Sequence, residues 1–431
     1  MKSKLLNNDY ILSMISKAFN IVFGFFSLIL LNRYLGTYIK GEYSTIINYV
    51  SIISSIFQLG ISIIYSRFKR KNISNCYYIF TSLSILQFFI YLIISIGLGL
   101  VVGQKLLIIL IISSIAILTT QLRYINLVEN IKYNTLIVII MSLTNFFSTL
   151  ISFLFLQKSL LIGLVIYVVK DLIIIIMYFL KINYKYLFKK EYIKTYKKIL
   201  IEGFLPMLSN LLIIINYKID VVMLNSFKID YSMIGIYSLG LSISEYMWII
   251  PDIFKDVVQK RTAKDNSINT INFSLRCAST IIIVCYIILL IIGKKMFGIV
   301  FGKEFVDAYY ITKILFIGVY CMLFYKIIGQ LFISDNKSKQ YFLILLVGAI
   351  INVIFNYILI PKLNIVGASI ASIVSYSLIG IVFLGMYLVQ YKTRIKDVLF
   401  IKKSDIKKFK KLFINNSILK DLEGVKKNEQ N

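Results

Sequence analysis

The chain has 431 residues, 58% of them hydrophobic, a mean hydropathy of +0.81 and a formal charge of +28. Hydropathy that high lies far outside the soluble range, so the basic residues belong to membrane-flanking loops and not to a nucleic-acid-binding surface. Histidine is absent, which excludes His-based metal sites, catalytic triads and histidine proton relays; Cys76, Cys277, Cys285 and Cys321 have no paired spacing and read as free thiols.

A membrane-spanning helix needs about 20 mostly apolar residues. About twelve such stretches succeed one another, at about 10–31, 43–65, 77–101, 106–128, 134–156, 160–181, 200–225, 232–254, 277–300, 309–333, 341–361 and 364–391. The first is too long for a signal peptide and lacks a small-residue cleavage site, so it reads as a retained helix. The sequence therefore predicts an all-α polytopic membrane protein, with about 12 transmembrane helices in two six-helix bundles around a central cavity. Lysine and arginine alternate between loops. Arg67 to Lys71, Arg123 and Lys132, Lys181 to Lys198, Lys255 to Arg276, Lys337 and Lys339, and the tail from Lys392 fall on one side. The other side holds roughly threefold to fourfold fewer, which predicts that both termini are cytoplasmic in a bacterial cytoplasmic membrane. The expected domains are an N-terminal bundle (1–181), a basic cytoplasmic linker (182–199), a C-terminal bundle (200–391) and a basic cytoplasmic tail (392–431). The linker and the tail around Ile406 to Leu419 suit anionic lipid headgroups.

Polar residues recur at helical spacing inside four of the spans. Gly41-Glu42-Tyr43-Ser44 opens the second and Gly235-Ile236-Tyr237-Ser238 the eighth. From there Ser44, Asn48, Ser51, Ser55, Gln58 and Ser62 share one face, as do Ser238, Ser242, Glu245, Asp252 and Asp256. Lys17 and Asn20 stripe the first span; Glu202, Ser209, Asn216 and Asp220 stripe the seventh. Small polar stripes also serve close helix packing. Packing alone does not account for Lys17, Glu245 and Asp252, because a charge at bilayer depth needs a partner or a wet cavity. Lys170-Asp171 and Lys326 fit a structural ion pair or snorkelling as well as substrate contact. Pro206 and Pro251 are expected to break their helices, as hinges or as static kinks.

Several short motifs recur in order along the chain: Asn32-Arg33-Tyr34-Leu35-Gly36 before Gly41-Glu42-Tyr43; Gly203 to Pro206, then Asp220-Val221-Val222-Met223-Leu224; Phe301-Gly302-Lys303-Glu304-Phe305; Asn356, Leu359-Ile360-Pro361 and Gly367-Ala368-Ser369-Ile370-Ala371. In these the chain resembles the oligosaccharide flippase branch of the multidrug/oligosaccharidyl-lipid/polysaccharide exporter superfamily. The resemblance implies a non-enzymatic flippase. Its substrate would be undecaprenyl-diphosphate-linked oligosaccharide repeat units, moved by alternating access for surface polysaccharide such as O-antigen or capsule. On that reading Lys17, Asn20, Asn48, Ser51, Gln58, Ser209 and Asn216 are substrate contacts, Lys17 meeting the diphosphate. Asp220, Glu245 and Asp252 balance charge or carry a coupling ion. No cofactor is implied, and coupling to H+ or Na+ stays open. Expected partners are the lipid-linked oligosaccharide, membrane lipids and the polysaccharide polymerase and assembly proteins. Two alternatives remain. An ion-coupled multidrug antiporter would rely on Glu245, Asp252, Asp220 and Asp171. A peptidoglycan-precursor flippase would usually have more helices and several arginines in its first helices, where this chain has only Lys17 deep in the first span.

Overall fold

The computed structural model describes residues 2–262, 268–335, 337–402 and 405. Among these, every regular element is a helix, as lipid demands: with no water in the bilayer core, each backbone N–H and C=O must be satisfied within its own segment. In chain order they are α1 Lys2–Phe57, α2 Ile61–Arg70, α3 Cys76–Val102, α4 Gln104–Glu129, α5 Ile131–Phe155, α6 Leu160–Phe179, α7 Ile193–Ser226, α8 Tyr231–Tyr246, α9 Ile249–Thr262, α10 Ile268–Val300, α11 Ala308–Ser334, α12 Ser338–Gln390 and α13 Lys396–Leu399. Among the described residues ten helical stretches are long and apolar enough to cross a membrane. Two of them, Ile15–Arg70 and Lys339–Gln390, are long enough to cross twice; the first is broken at Gly36 and again at Leu59 and Gly60, the second at Asn364. About twelve crossings result, in line with the sequence.

Three boundaries differ from expectation. The segment 32–42, expected as a loop, is helical on both sides of a single break at Gly36 (φ 68°, ψ 176°). The freed groups find partners there. Thr37 N–H donates to the Glu304 carboxylate at 3.3 Å, and Arg33 Nε donates to the Val300 carbonyl at the end of α10 (2.7 Å). The linker is shorter than 182–199, because α7 begins at Ile193 after two single turns, Tyr184–Tyr186 and Lys190–Tyr192. The eighth span is two helices, α8 and α9, parted at Met247 and Trp248. Pro251 sits in the first turn of α9, where its missing N–H costs nothing. Pro206 ends nothing, since α7 runs through it. The tail segment Ile406 to Leu419 lies outside the described residues.

The chain forms two compact units. The first runs from the N-terminus to Ile243 and takes in 292–315 and 345–375. In it α1 packs along α5, α4 and α7, and α3 along α4. Its cores join distant segments: Tyr34, Leu35, Ile46 and Val50 with Ile112 and Leu164; Val221, Leu224 and Tyr237 with Leu315, Ile360 and Ala368. The repeated tetrapeptides meet here. A Cβ on Gly41 would lie 1.8 Å from the Tyr231 carbonyl oxygen, and one on Gly235 would lie 2.0 Å from that of Thr37, so no other residue fits either position without moving backbone. A second crossing brings Gly60 (φ 65°) against Gly203, whose carbonyl oxygen would be 2.1 Å from the added Cβ.

The second unit comprises 244–291, 316–344 and the chain from Tyr376. Its aromatic core stacks Tyr325, Tyr341 and Phe383, with Trp248 against Tyr376. Arg276 of α10, buried, holds Asp405 in a two-pronged ion pair at 2.6 and 2.7 Å, tying the start of the tail to this unit.

Candidate functional site

A recess of about 280 Å3 opens in the first unit. One wall is the striped stretch of the second span, which supplies Ser51, Ser54, Ser55, Gln58 and Ser62; Thr120 and Tyr124 of α4 and Asn210 of α7 add polar groups, and Val50, Ile63, Ala116, Ile117 and Ile214 line the rest with Tyr167. Among the described residues none lining it is charged. The hydroxyls turn their protons inward: Ser51 Oγ donates to the Ile47 carbonyl (2.8 Å), Ser55 Oγ to Ile52 (2.7 Å) and Thr120 Oγ1 to Ala116 (2.7 Å). Each oxygen then keeps lone pairs for a donor arriving in the recess. At its floor Gln58 Nε2 donates to Ser62 Oγ (3.1 Å), while Gln121 Nε2 donates to the Gln58 carbonyl and to Gln87 Oε1 (3.2 and 2.7 Å). These amides satisfy the backbone where the helix breaks at Leu59 and Gly60.

A second recess of about 340 Å3 shares Thr120 and Tyr124 with the first and adds Arg123, Leu127 and Asn134.

The same unit holds a closed polar network. The Asp220 carboxylate, wholly buried, accepts from Tyr237 Oη (2.8 Å), Asn356 Nδ2 (2.7 Å) and Ser372 Oγ. One turn away Asn216 accepts from Ser375 Oγ (2.8 Å) and donates to the Leu212 carbonyl (3.1 Å). Asn356 Nδ2 also reaches Asn352 Oδ1 at 3.0 Å, and Asn356 Oδ1 is buried with no hydrogen-bond partner among the described residues.

The second unit carries charge. Lys326 Nζ lies 2.9 and 3.1 Å from the two Asp252 oxygens and 4.9 Å from the centre of the Trp248 ring. The lysine side chain is 12% exposed and the aspartate 45%, so the pair shows its acidic side outward. Glu245 is partly buried within electrostatic range of Lys326.

The expected site residues thus separate into groups. Ser51 and Gln58 line the recess. Asn48 is on the same helix, its amide donating to the Ser44 carbonyl (2.6 Å). Lys17 and Asn20 lie on an exposed face of α1, where Asn20 Oδ1 accepts from Ser142 of α5 (3.0 Å). Ser209 is partly exposed and bonded to its own helix at Leu205. Asn216, expected to contact substrate, has no exposed surface here and is enclosed by the Asp220 network. Asp252 is paired with Lys326. The sequence reading passed over Asn352, Ser372 and Ser375, although Asn352 and Asn356, four apart, and Ser372 and Ser375, three apart, repeat the spacing that marked the other stripes.

A model of the polysaccharide biosynthesis protein family matches residues 6–249, more than half of the chain. The chain belongs to this family. No curated protein matches it significantly. Solved structures share the fold at low identity. A multidrug resistance MATE family transporter of the MOP superfamily, in an inward-facing conformation, is 13% identical over 85% of this chain and 95% of its own, with a TM-score of 0.66. The MATE multidrug transporter DinF-BH is 17% identical over 93% and 97% (TM-score 0.59), and the Vibrio cholerae MATE transporter VcmN 13% over 92% and 99% (TM-score 0.56). The likeness to these transporters is one of fold.

Proposed function

We propose that this protein moves undecaprenyl-diphosphate-linked oligosaccharide repeat units across the cytoplasmic membrane for surface polysaccharide assembly. The observation that carries the reading is the uncharged recess in which serine, threonine, glutamine and asparagine are set among apolar side chains. Sugars offer many neutral hydroxyl donors, which suit such a wall; an organic cation would need carboxylates there. The polyprenyl tail stays in lipid, the glycan enters the recess, and the two six-helix halves (1–181 and 200–391) rock to expose it to each side in turn. Lys17 supplies positive charge for the diphosphate as it passes α1. Asp252 and Glu245 balance Lys326. Asp220, ringed by donors and beside the free Asn356 oxygen, carries the coupling proton or Na+. Both termini and the linker face the cytoplasm, and the products pass to polymerase and assembly proteins.

Deletion of the gene should stop surface polysaccharide and trap the lipid-linked repeat unit on the inner leaflet, measured by accessibility of the glycan to an impermeant label. Normal polysaccharide in a strain without a paralogue, together with drug hypersensitivity, would instead favour a multidrug antiporter.

A further inference from the structure

The chain joining α6 to α7 has two faces of different character. Ile182, Leu187 and Tyr192 are buried and hold the segment against the first unit. Between and beside them apolar tips point outward: Leu180 is 81% exposed and Ile193 63%, and Tyr184 and Phe188 are exposed as well. From Lys181 to Lys198 there are seven lysines and one acid, Glu191. Lys189 pairs with Glu191 at 3.8 Å, and Lys181 Nζ lies 3.5 Å from the centre of the Tyr133 ring. Among the described residues Lys185, Lys190, Lys194, Lys197 and Lys198 make no side-chain hydrogen bond or ion pair, and all five are exposed. The segment is not slack. Phe188 N–H donates to Ser82 Oγ of α3 (3.1 Å), Tyr184 Oη to the Phe179 carbonyl (2.8 Å) and Tyr192 Oη to the Tyr186 carbonyl (3.1 Å). Its depth follows from α7, whose 34 residues span about 51 Å against a hydrocarbon core of about 30 Å. The lysine-bearing end is the one that projects, so Ile193 to Lys198 and the strap before them stand at headgroup level.

We propose that this strap, residues 180–198, is a docking surface for the anionic phospholipid headgroups of the leaflet it meets, selecting them over zwitterionic ones. The apolar tips enter the boundary between headgroups and acyl chains of any bilayer, while the unpaired lysines, on flexible apolar stems, reach the phosphates. A zwitterionic headgroup has no net charge to offer them, so the lysines supply the discrimination. Apolar tips interleaved with lysines at headgroup level favour lipid over an acidic protein segment, which would match the charge alone. Because the backbone is pinned to α3 and to its own tyrosines, the lysine array is ordered before lipid arrives and loses less freedom on binding. The strap also leads straight into a junction of helices. Tyr192 and Ile199 share a core with Phe68 and Cys76, and Glu202 lies 3.6 and 3.7 Å from Arg67 and Lys71. Anionic lipid held by the strap therefore steadies the contact of α2 with α7, next to the crossing of Gly60 and Gly203. The surface serves whichever substrate the protein carries.

The test puts a reporter in the strap itself: Phe188→Trp in full-length protein whose single tryptophan is removed by Trp248→Phe. In phosphatidylcholine vesicles, a low mole fraction of brominated phosphatidylglycerol should quench this tryptophan several-fold more than the same fraction of brominated phosphatidylcholine. The excess should vanish when Lys185→Gln, Lys190→Gln and Lys194→Gln are combined. It should vanish equally with all lysines in place at about 1 M salt, where the screening length falls to about 3 Å. Lys295→Gln with Lys362→Gln, which removes two exposed lysines of α10 and α12, should leave the excess unchanged. Equal quenching by the two lipids, or an excess that survives either the lysine substitutions or the salt, would overturn the proposal. So would the absence of quenching by both, which would set the strap against water or protein. Each of these failures leaves the flippase reading standing.

Discussion

The serine wall of the recess and the network around Asp220 are built from the same residue types within one compact unit, yet their hydrogen bonds run in opposite senses. In the recess Ser51, Ser55 and Thr120 bond back to their own helices, so that polar surface stays available, and crossing bonds are made by Ser54 and by the amides at the helix break. Around Asp220 the bonds cross between helices: Tyr237 from α8, Asn356 and Ser372 from α12 all converge on a carboxylate of α7. The first arrangement leaves a site; the second makes a tie. A polar stripe in a membrane helix therefore takes its meaning from where its donors end.

The contrast can be broken from the tie outward. Asp220→Ala would strand three buried donors, each costing about 1–3 kcal/mol, and should give the largest loss of thermal stability in detergent, with little protein left in the membrane. A variant as stable as wild type would show that these helices do not depend on that carboxylate. Asn356→Ala removes one crossing bond and should cost about 1–2 kcal/mol in the same unfolding assay. At the other end of the scale, the double variant Ser51→Ala with Ser55→Ala should change stability by less than about 0.5 kcal/mol, because local back-bonding adds little to a helix. Its export of repeat units per molecule of protein should nonetheless fall several-fold. Equal transport with lowered abundance would make the recess a packing feature after all.

Helix number and character were legible because a hydrocarbon solvent imposes length and apolarity on every span, and the recess wall was legible because its serines keep to one face of one helix. The short motifs were legible only as text. In space they prove to be mutual contacts: Arg33 caps the end of α10 just before Phe301, Glu304 accepts from Thr37, and Asp220 meets Asn356. Burial is where the sequence reading fell short. Asn216 and Ser51 both sit in polar stripes at helical spacing, and nothing in the spacing tells which stripe will face a hollow and which another helix. Lys326 and Asp252, 74 residues apart, could be paired only by the fold. Arg123 read as one more loop charge because α4 continues past it.

The glycine crossings have a mechanical consequence. Gly41 rests on Gly235 and Gly60 on Gly203, and the two contacts stand roughly 28 Å apart along the chain axis, close to the depth of the hydrocarbon core. They act as two clasps, one toward each face of the membrane, with the serine wall between and beside them. Backbone against backbone seals tightly, yet it has no interdigitated side chains to pull free, and its weak Cα–H to carbonyl contacts are worth only about 0.5–1 kcal/mol each. A clasp of that kind can shut out water and still come undone with a few units of thermal energy. A bulkier residue at any of the four positions would prop its end ajar.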